Sequence, residues 1–384
     1  MAFNFPPFVD GSAVTVAKRV LESARPVDVV AADLSRVRTR DRSLAELVAP
    51  YVRQHHSLTV PIKFAAQASV APFVTAGIRA LAHRQTRPYR SVYSRSMWPH
   101  SHFLAARVKI DHLAARWTAE FSDPMLWHVD GGRRPSPSIA GYIDEARVLA
   151  SVGARAQRFL LERRTVLEWA QFVPFLLADE LVFTNEQQRA VMLEDAPTWL
   201  QEAVLPRSVI APHPTLPPQY YGDDAGPSAA RASDEFRIGY FGTFYPNRGG
   251  GELLEAVSLL PTPARDRLRL DVYASDTRTL MASAGKLGLS GVVRHRSPLP
   301  FRRFLAASGS YDALLVNDIA TSPFGVPSPF LPSKYSDYAG SSAPTMAITI
   351  PGSPLDLMPA RWKAHVGDVD GISRMLRSAI EEDR

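Results

Sequence analysis

The chain has 384 residues, 46% apolar and 21% charged, a globular composition with room for about two to three domains. It has no cysteine, which excludes disulfides, thiolate metal sites and a cysteine nucleophile and fits a cytoplasmic protein; no apolar run approaches the ~20 residues of a spanning helix, and residues 1–7 lack the pattern of a signal peptide. The net charge of +6 falls wholly on residues 1–220, with 26 Lys and Arg against 20 Asp and Glu, whereas residues 221–384 hold 18 of each. Such a basic half fits an anionic lipid, a phosphorylated acceptor or nucleic acid, or simply an Arg-rich solvated surface.

Residues 3–34 read as the first unit of an alternating α/β domain. A loop over 5–12 leads to a helix over 13–23, with Val16, Val20 and Leu21 on one face, and a strand over 26–31. Gly11, just before the helix, lets a ligand approach backbone N–H groups, although the loop is not a GxGxxG fingerprint. Arg36, Arg38, Arg40 and Arg42 alternate through a polar connection. Then follow a helix over 44–52, a strand over 58–61, a helix over 69–83, a strand over 89–95 and a helix over 103–109. His100 and His102 fall at a strand-to-helix junction, where ligands bind in open α/β sheets. Loop histidines bonded to backbone are the alternative, and two histidines make no metal site by themselves. Residues 116–121 read as a strand, with Glu120 and Asp123 near its carboxyl end, Asp123 being also a plain Asp-Pro turn residue. Helix over most of 140–178, a strand over 179–184, a helix from Asn185 and a strand near 209–211 complete this half.

Residues 214–234, with Pro214, Pro217, Pro218, Gly222, Gly226 and Pro227, read as a linker between an N-terminal domain of residues 1–213 and a C-terminal domain of residues 235–384. The second α/β series opens with a strand over 236–241. A glycine-rich loop over 242–251 and a helix over 252–260 follow. Strand, glycine loop and helix form a physical phosphate site, with Gly242, Thr243 and the charge of Arg248, but no Gly-Lys-Ser/Thr of a P-loop follows. Strands over 268–273, 292–294 and 313–317 alternate with helices over 278–287 and 301–307. Ser333, Lys334 and Asp337 then open a short helix before a strand over 345–350. Lys334 and Asp337 are three apart and share a helix face, where a lysine suits a phosphate and a carboxylate suits a ribose. A capped helix with a surface ion pair would look the same. Residues 368–382 read as a terminal helix, with a return onto the first domain as one option.

Two α/β domains joined by a Pro/Gly linker resemble the GT-B glycosyltransferases, specifically the retaining class called family 4, over nearly the whole chain. Ile238 to Gly242 with Arg248 and Gly249 resembles the family's glycine-loop motif. Pro332-Ser333-Lys334 with Asp337-Tyr338-Ala339 and Pro344 resembles its Pro-Ser-Lys, Glu-Tyr-Leu-Ala and Gly-x-Pro run. Phe5-Pro6-Pro7 with Gly11 is similar to its N-terminal loop. The resemblance implies an α/β fold of two Rossmann-like domains facing a central cleft. It implies transfer of a sugar from a UDP- or GDP-sugar to a hydroxyl acceptor, with retention and with neither a strict metal requirement nor a tightly bound cofactor. It gives Arg248, Lys334, Asp123 and His100 catalytic roles. It places the donor on Gly11, Gly242, Thr243, Arg248, His295, Ser333, Lys334 and Asp337, with residues 294–297 where the base-contacting loop falls.

The sequence also departs from the family. Pro329 stands where the first acid of a paired-glutamate motif belongs, Thr243 replaces an arginine, and Ser122 replaces a histidine for which Asp123 or Glu120 could substitute. Other readings therefore stay open: a catalytically silent protein that binds an anionic glycan, lipid or nucleic acid, a nucleotide-sugar epimerase, and a DNA-modifying glycosyltransferase. The expected partners are a nucleotide-sugar and a glycan or lipid-linked acceptor, with peripheral contact at the inner membrane face and no recognised nucleic-acid motif.

Overall fold

The computed structural model describes residues 1–82, 89–222, 234–242, 250–319 and 328–383. The chain divides into two compact units, Met1–His128 with Gly132–Pro214, and Thr215–Arg384 with Val129–Gly131.

The first unit begins with α1 (Gly11–Ser23), β1 (Val27–Ala32), α2 (Arg42–Val48), β2 (Val52–Leu58), α3 (Gln67–Ala82), β3 (Ser91–Ser96) and α4 (His100–Asp111). It continues through β4 (Arg116–Phe121), α5 (Glu145–Ala150), α6 (Ala154–Glu162), α7 (Val166–Leu177), β5 (Glu180–Phe183), α8 (Glu186–Glu194), α9 (Thr198–Val204) and β6 (Ser208–Ile210). Its strands pair in parallel, as β2-β1 and as β3-β4-β5-β6. Residues 1–4 join the two pieces. The Ala2 amide donates to Val30, the Phe3 carbonyl accepts from Ala32, and Ala2 bridges in parallel to Arg95. The strand order reverses about this segment, so residues 5–10 leave the sheet at a switch point, the usual place for ligands.

Local signals set the helix starts. The Asp10 carboxylate accepts from the Ala13 amide at 2.7 Å at the start of α1, and Thr165 with Glu168 forms a capping box at α7. Trp117, Trp169, Phe121 and Phe175 anchor the core between sheet and helices. The strand expected at 58–61 lies instead at Val52–Leu58. Pro50 stops α2 in a 3-10 turn, and β2 alternates half-buried and exposed residues, so it shows no apolar run. Helix α4 starts at His100, three residues before the expected Phe103.

The second unit runs β7 (Phe236–Phe241), α10 (Gly250–Ser258), α11 (Thr262–Arg267), β8 (Leu268–Tyr273), α12 (Arg278–Lys286), β9 (Val293–Arg296), α13 (Phe301–Ser308) and β10 (Ala313–Asn317). It ends with α14 (Lys334–Tyr338), β11 (Thr345–Thr349), β12 (Trp362–His365) and α15 (Val369–Glu382). One parallel sheet is ordered β12-β11-β10-β7-β8-β9. Strands β7, β10 and β11 are buried along their whole length, as expected where helices cover both faces. One face packs on α10, α12 and α15, the other on α13 and α14. The chain steps from β7 out to β9, then crosses to β10, so the carboxyl ends of β7 and β10 flank a second switch point. The terminal helix spends its apolar stripe, Ile372, Met375, Leu376, Ala379 and Ile380, on the core of this same unit. Edge strand β12 escapes sequence reading because only alternate residues are buried. Among the described residues no helix is long and apolar enough to cross a membrane.

Candidate functional site

The switch point of the second sheet gathers Gly242, Lys334 and Asp337. Gly242 follows β7 with φ +124°, a conformation that suits glycine, and its amide donates to Tyr273 at 2.9 Å. A Cβ built there would lie 3.4 Å from the Lys334 ammonium. That ammonium also lies 3.5 Å from the centre of the Tyr240 ring, a cation–π contact. The sequence therefore puts a backbone without a side chain and a cation side by side, at the end of a buried strand.

Helix α14 presents the rest. Ser333, half-buried, is its N-cap residue, and the Ser333 carbonyl accepts from the Ser336 hydroxyl at 2.8 Å. Two tyrosines pin the helix. The fully buried Tyr338 hydroxyl accepts from the Phe241 amide at 2.9 Å, tying α14 to the end of β7. The Tyr221 hydroxyl donates to the Asp337 carbonyl at 2.6 Å. Lys334 and Asp337 are half-buried as residues, and the Lys334 Nζ and the Asp337 Oδ1 are themselves buried. Pro329 is buried just ahead of this helix.

At the edge of the sheet, His295 lies exposed near the carboxyl end of β9 and bonds through Nε2 to the Ala274 carbonyl at 2.9 Å. Of the expected base-contacting segment 294–297, residues 294–296 are strand rather than loop, and Arg294 and Arg296 point to Asp271. Asp271 is fully buried and faces Arg294 at 2.8 Å, Arg296 at 3.2 Å, Arg237 at 3.3 Å and the Tyr311 hydroxyl at 3.1 Å. Burial alone would raise its carboxyl. The hydrogen bond and charge of Arg294, then Arg296 and Arg237, outweigh burial and hold it below the ordinary aspartate range. Sequence reading missed this cluster, because its charged members sit on three strands and meet only through the register, with Tyr311 joining from the connection before β10.

The first unit corrects two expectations. His100 is wholly buried among Phe3, Phe73 and Trp98. The Ser69 hydroxyl donates to the Pro61 carbonyl at 2.5 Å and so receives the His100 Nε2 proton at 2.8 Å. Burial pushes His100 down to about 3, so it stays neutral in the core rather than reaching a substrate. Glu120, 1% exposed, is enclosed by Arg95 at 3.1 Å, Arg19 at 3.0 Å and the Tyr93 hydroxyl at 2.8 Å, so it ties α1, β3 and β4 together. Asp123 does sit just past the carboxyl end of β4, half-buried, where its charge opposes the burial-lowered ionisation of Arg134. Gly11 is the exposed first residue of α1, but the Asp10 carboxylate already occupies that helix end. Thr243 and Arg248 lie outside the described residues. Among the described residues no group of three or more His, Cys, Asp or Glu could hold a metal.

Two parallel α/β units, with glycine and lysine at the second switch point, define the fold of the GT-B glycosyltransferases, as the sequence led us to expect. HepE from Anabaena, solved in complex with UDP and glucose, superposes with a TM-score of 0.60 and 11% identity over 100% of this chain and 90% of its own. Sucrose-phosphate synthase from Thermosynechococcus elongatus gives 0.57 and 14% identity over 96% and 86% of the two chains. WaaG, a glycosyltransferase involved in lipopolysaccharide biosynthesis, gives 0.55 and 14% identity over 99% and 90%. At these identities the likeness is one of fold. No family model and no curated protein matches the sequence.

Proposed function

We propose that this protein transfers a sugar from a nucleotide-sugar donor to a hydroxyl acceptor, with retention at the anomeric carbon. The observation that carries the reading is the Lys334 ammonium against Gly242, with Asp337 on the same short helix, at the carboxyl ends of β7 and β10. Lys334 would neutralise the leaving diphosphate as its charge grows, Gly242 leaving room beside it for the ligand, and the sequence adds Thr243 and Arg248 to that loop. Asp337 would accept hydrogen bonds from the ribose, and His295, near the carboxyl end of edge strand β9, would be the candidate for contact with the base. The first unit would take the acceptor, with Asp123 and Gly11 as its candidates, and its excess of basic residues suits an anionic or lipid-linked one. The HepE complexes with UDP and UDP-glucose favour a uridine donor over a guanosine one.

A second reading, a silent protein that binds an anionic glycan, lipid or nucleic acid, is favoured by Pro329, where the resemblance puts a donor-sugar carboxylate. Turnover separates the two. Incubation of UDP- and GDP-sugars with simple glycan acceptors should release the nucleoside diphosphate and, by proton NMR, give a product with the anomeric configuration of the donor. Inversion would refute retention. No release with any donor, alongside salt-sensitive binding to anionic ligands, would support the silent protein.

A further inference from the structure

We infer that Tyr221 is a positioning residue for Asp337, and through it for the donor's ribose; the inference rests on the proposed donor site. Tyr221 ends a 3-10 turn over Pro218–Tyr221 that packs on α13, and it is 9% exposed. Its hydroxyl reaches the backbone carbonyl of Asp337 at 2.6 Å. This carbonyl lies in the last turn of a five-residue helix, where backbone carbonyls take partners from outside the helix. The phenol supplies that donor from outside. Its ring lies across Gly340, where a Cβ would fall 2.4 Å from the Tyr221 oxygen and 2.6 Å from two ring carbons. Only a hydrogen at position 340 leaves room for the ring.

The consequences run from backbone to site. With its carbonyl held by Tyr221, and the next residue's hydroxyl (Tyr338) held by the Phe241 amide, the Asp337 backbone is fixed from both sides of α14. Holding the backbone there narrows the directions in which the carboxylate leaves the helix. Burial, and next the charge of Asp337, raise the phenol well above its ordinary range, so it stays a proton donor at every physiological pH. No motif in the sequence marks Tyr221, because it belongs to a Pro-rich stretch that reads as linker.

The test is calorimetric titration of UDP and GDP, and of their 2′,3′-dideoxy counterparts, into full-length wild type, Tyr221→Phe, Gly340→Ala and Asp337→Ala. Tyr221→Phe removes one hydroxyl and should weaken the ribonucleotide about three- to tenfold, the range of one hydrogen bond. Gly340→Ala displaces the ring and should weaken it at least as much. Neither change should alter the affinity for the dideoxy compound, which has no ribose hydroxyls for Asp337 to hold. Loss confined to the ribonucleotide supports a positioning role, because a general loosening of the unit would weaken both ligands. Ribonucleotide binding that Asp337→Ala weakens but Tyr221→Phe leaves at the wild-type value overturns this inference alone, as does an equal loss for both ligands. A wild type that binds neither UDP nor GDP overturns the donor site and this inference with it.

Discussion

Replacing Lys334 with alanine is expected to lower donor turnover about 100- to 1,000-fold, the cost of removing one group that meets developing charge. The helix that carries Lys334 does not depend on its ammonium. Tyr338 bonds the Phe241 amide and Tyr221 bonds the Asp337 carbonyl, so α14 keeps two anchors in the variant. The structural loss includes the cation–π contact with Tyr240, about 0.5–2 kcal/mol. Turnover and stability therefore separate. Steady-state release of nucleoside diphosphate measures the first, thermal denaturation the second. Arginine at 334 should restore part of the activity, since it keeps the charge but replaces a compact ammonium with a planar fork. Turnover in Lys334→Ala within about threefold of wild type would remove Lys334 from the diphosphate site.

The second large effect is on stability. Asp271→Ala should cost about 3–5 kcal/mol, the usual result of leaving buried charges without their partner. Arg237, on β7, is 9% exposed along its side chain and would lose its carboxylate, while Arg294 and Arg296 are 28% and 39% exposed and can turn partly to water. That exposure moves the expected loss toward the lower end. Asp271→Asn should cost less, because the amide oxygen still accepts from Arg294 and the amide NH2 can donate to the Tyr311 hydroxyl. The sign with pH follows from the lowered carboxyl. The folded value lies below the ordinary ~3.9, so the stabilisation is complete above that pH and is lost as pH falls through the folded value. Urea denaturation at pH 7 should show the full difference between wild type and Asp271→Ala, and the gap should narrow under strong acid. A variant within about 1 kcal/mol of wild type at pH 7 would show that the cluster contributes little.

Much of the second unit was legible in the sequence. Strands over 236–241 and 268–273 begin and end where their apolar runs do, because both are central in a parallel sheet. The short helix that carries Lys334 and Asp337, and the end of the first strand at Gly242, were marked by local signals. What failed were inferences that need tertiary knowledge. His100 sits at a strand-to-helix junction, as read, but that junction turns inward against Phe3 and Phe73. Glu120 lies near the end of a strand, as read, yet two arginines from other elements enclose it. Edge strands β2 and β12 hide because a half-exposed strand shows no continuous apolar run. The central strand position of residues 1–4 is hidden because four residues are too short for any periodicity.

The central claim is a nucleotide site on the second unit. A thermal-shift screen of the full chain against UDP, GDP and ADP tests it most directly. A ligand at 100 times its dissociation constant adds about 2.7 kcal/mol of stability. The account predicts a clear rise in Tm with one of these diphosphates, UDP foremost, that shrinks in Lys334→Ala and in Asp337→Ala. No rise with any of them, or an equal rise in wild type and both variants, would contradict it.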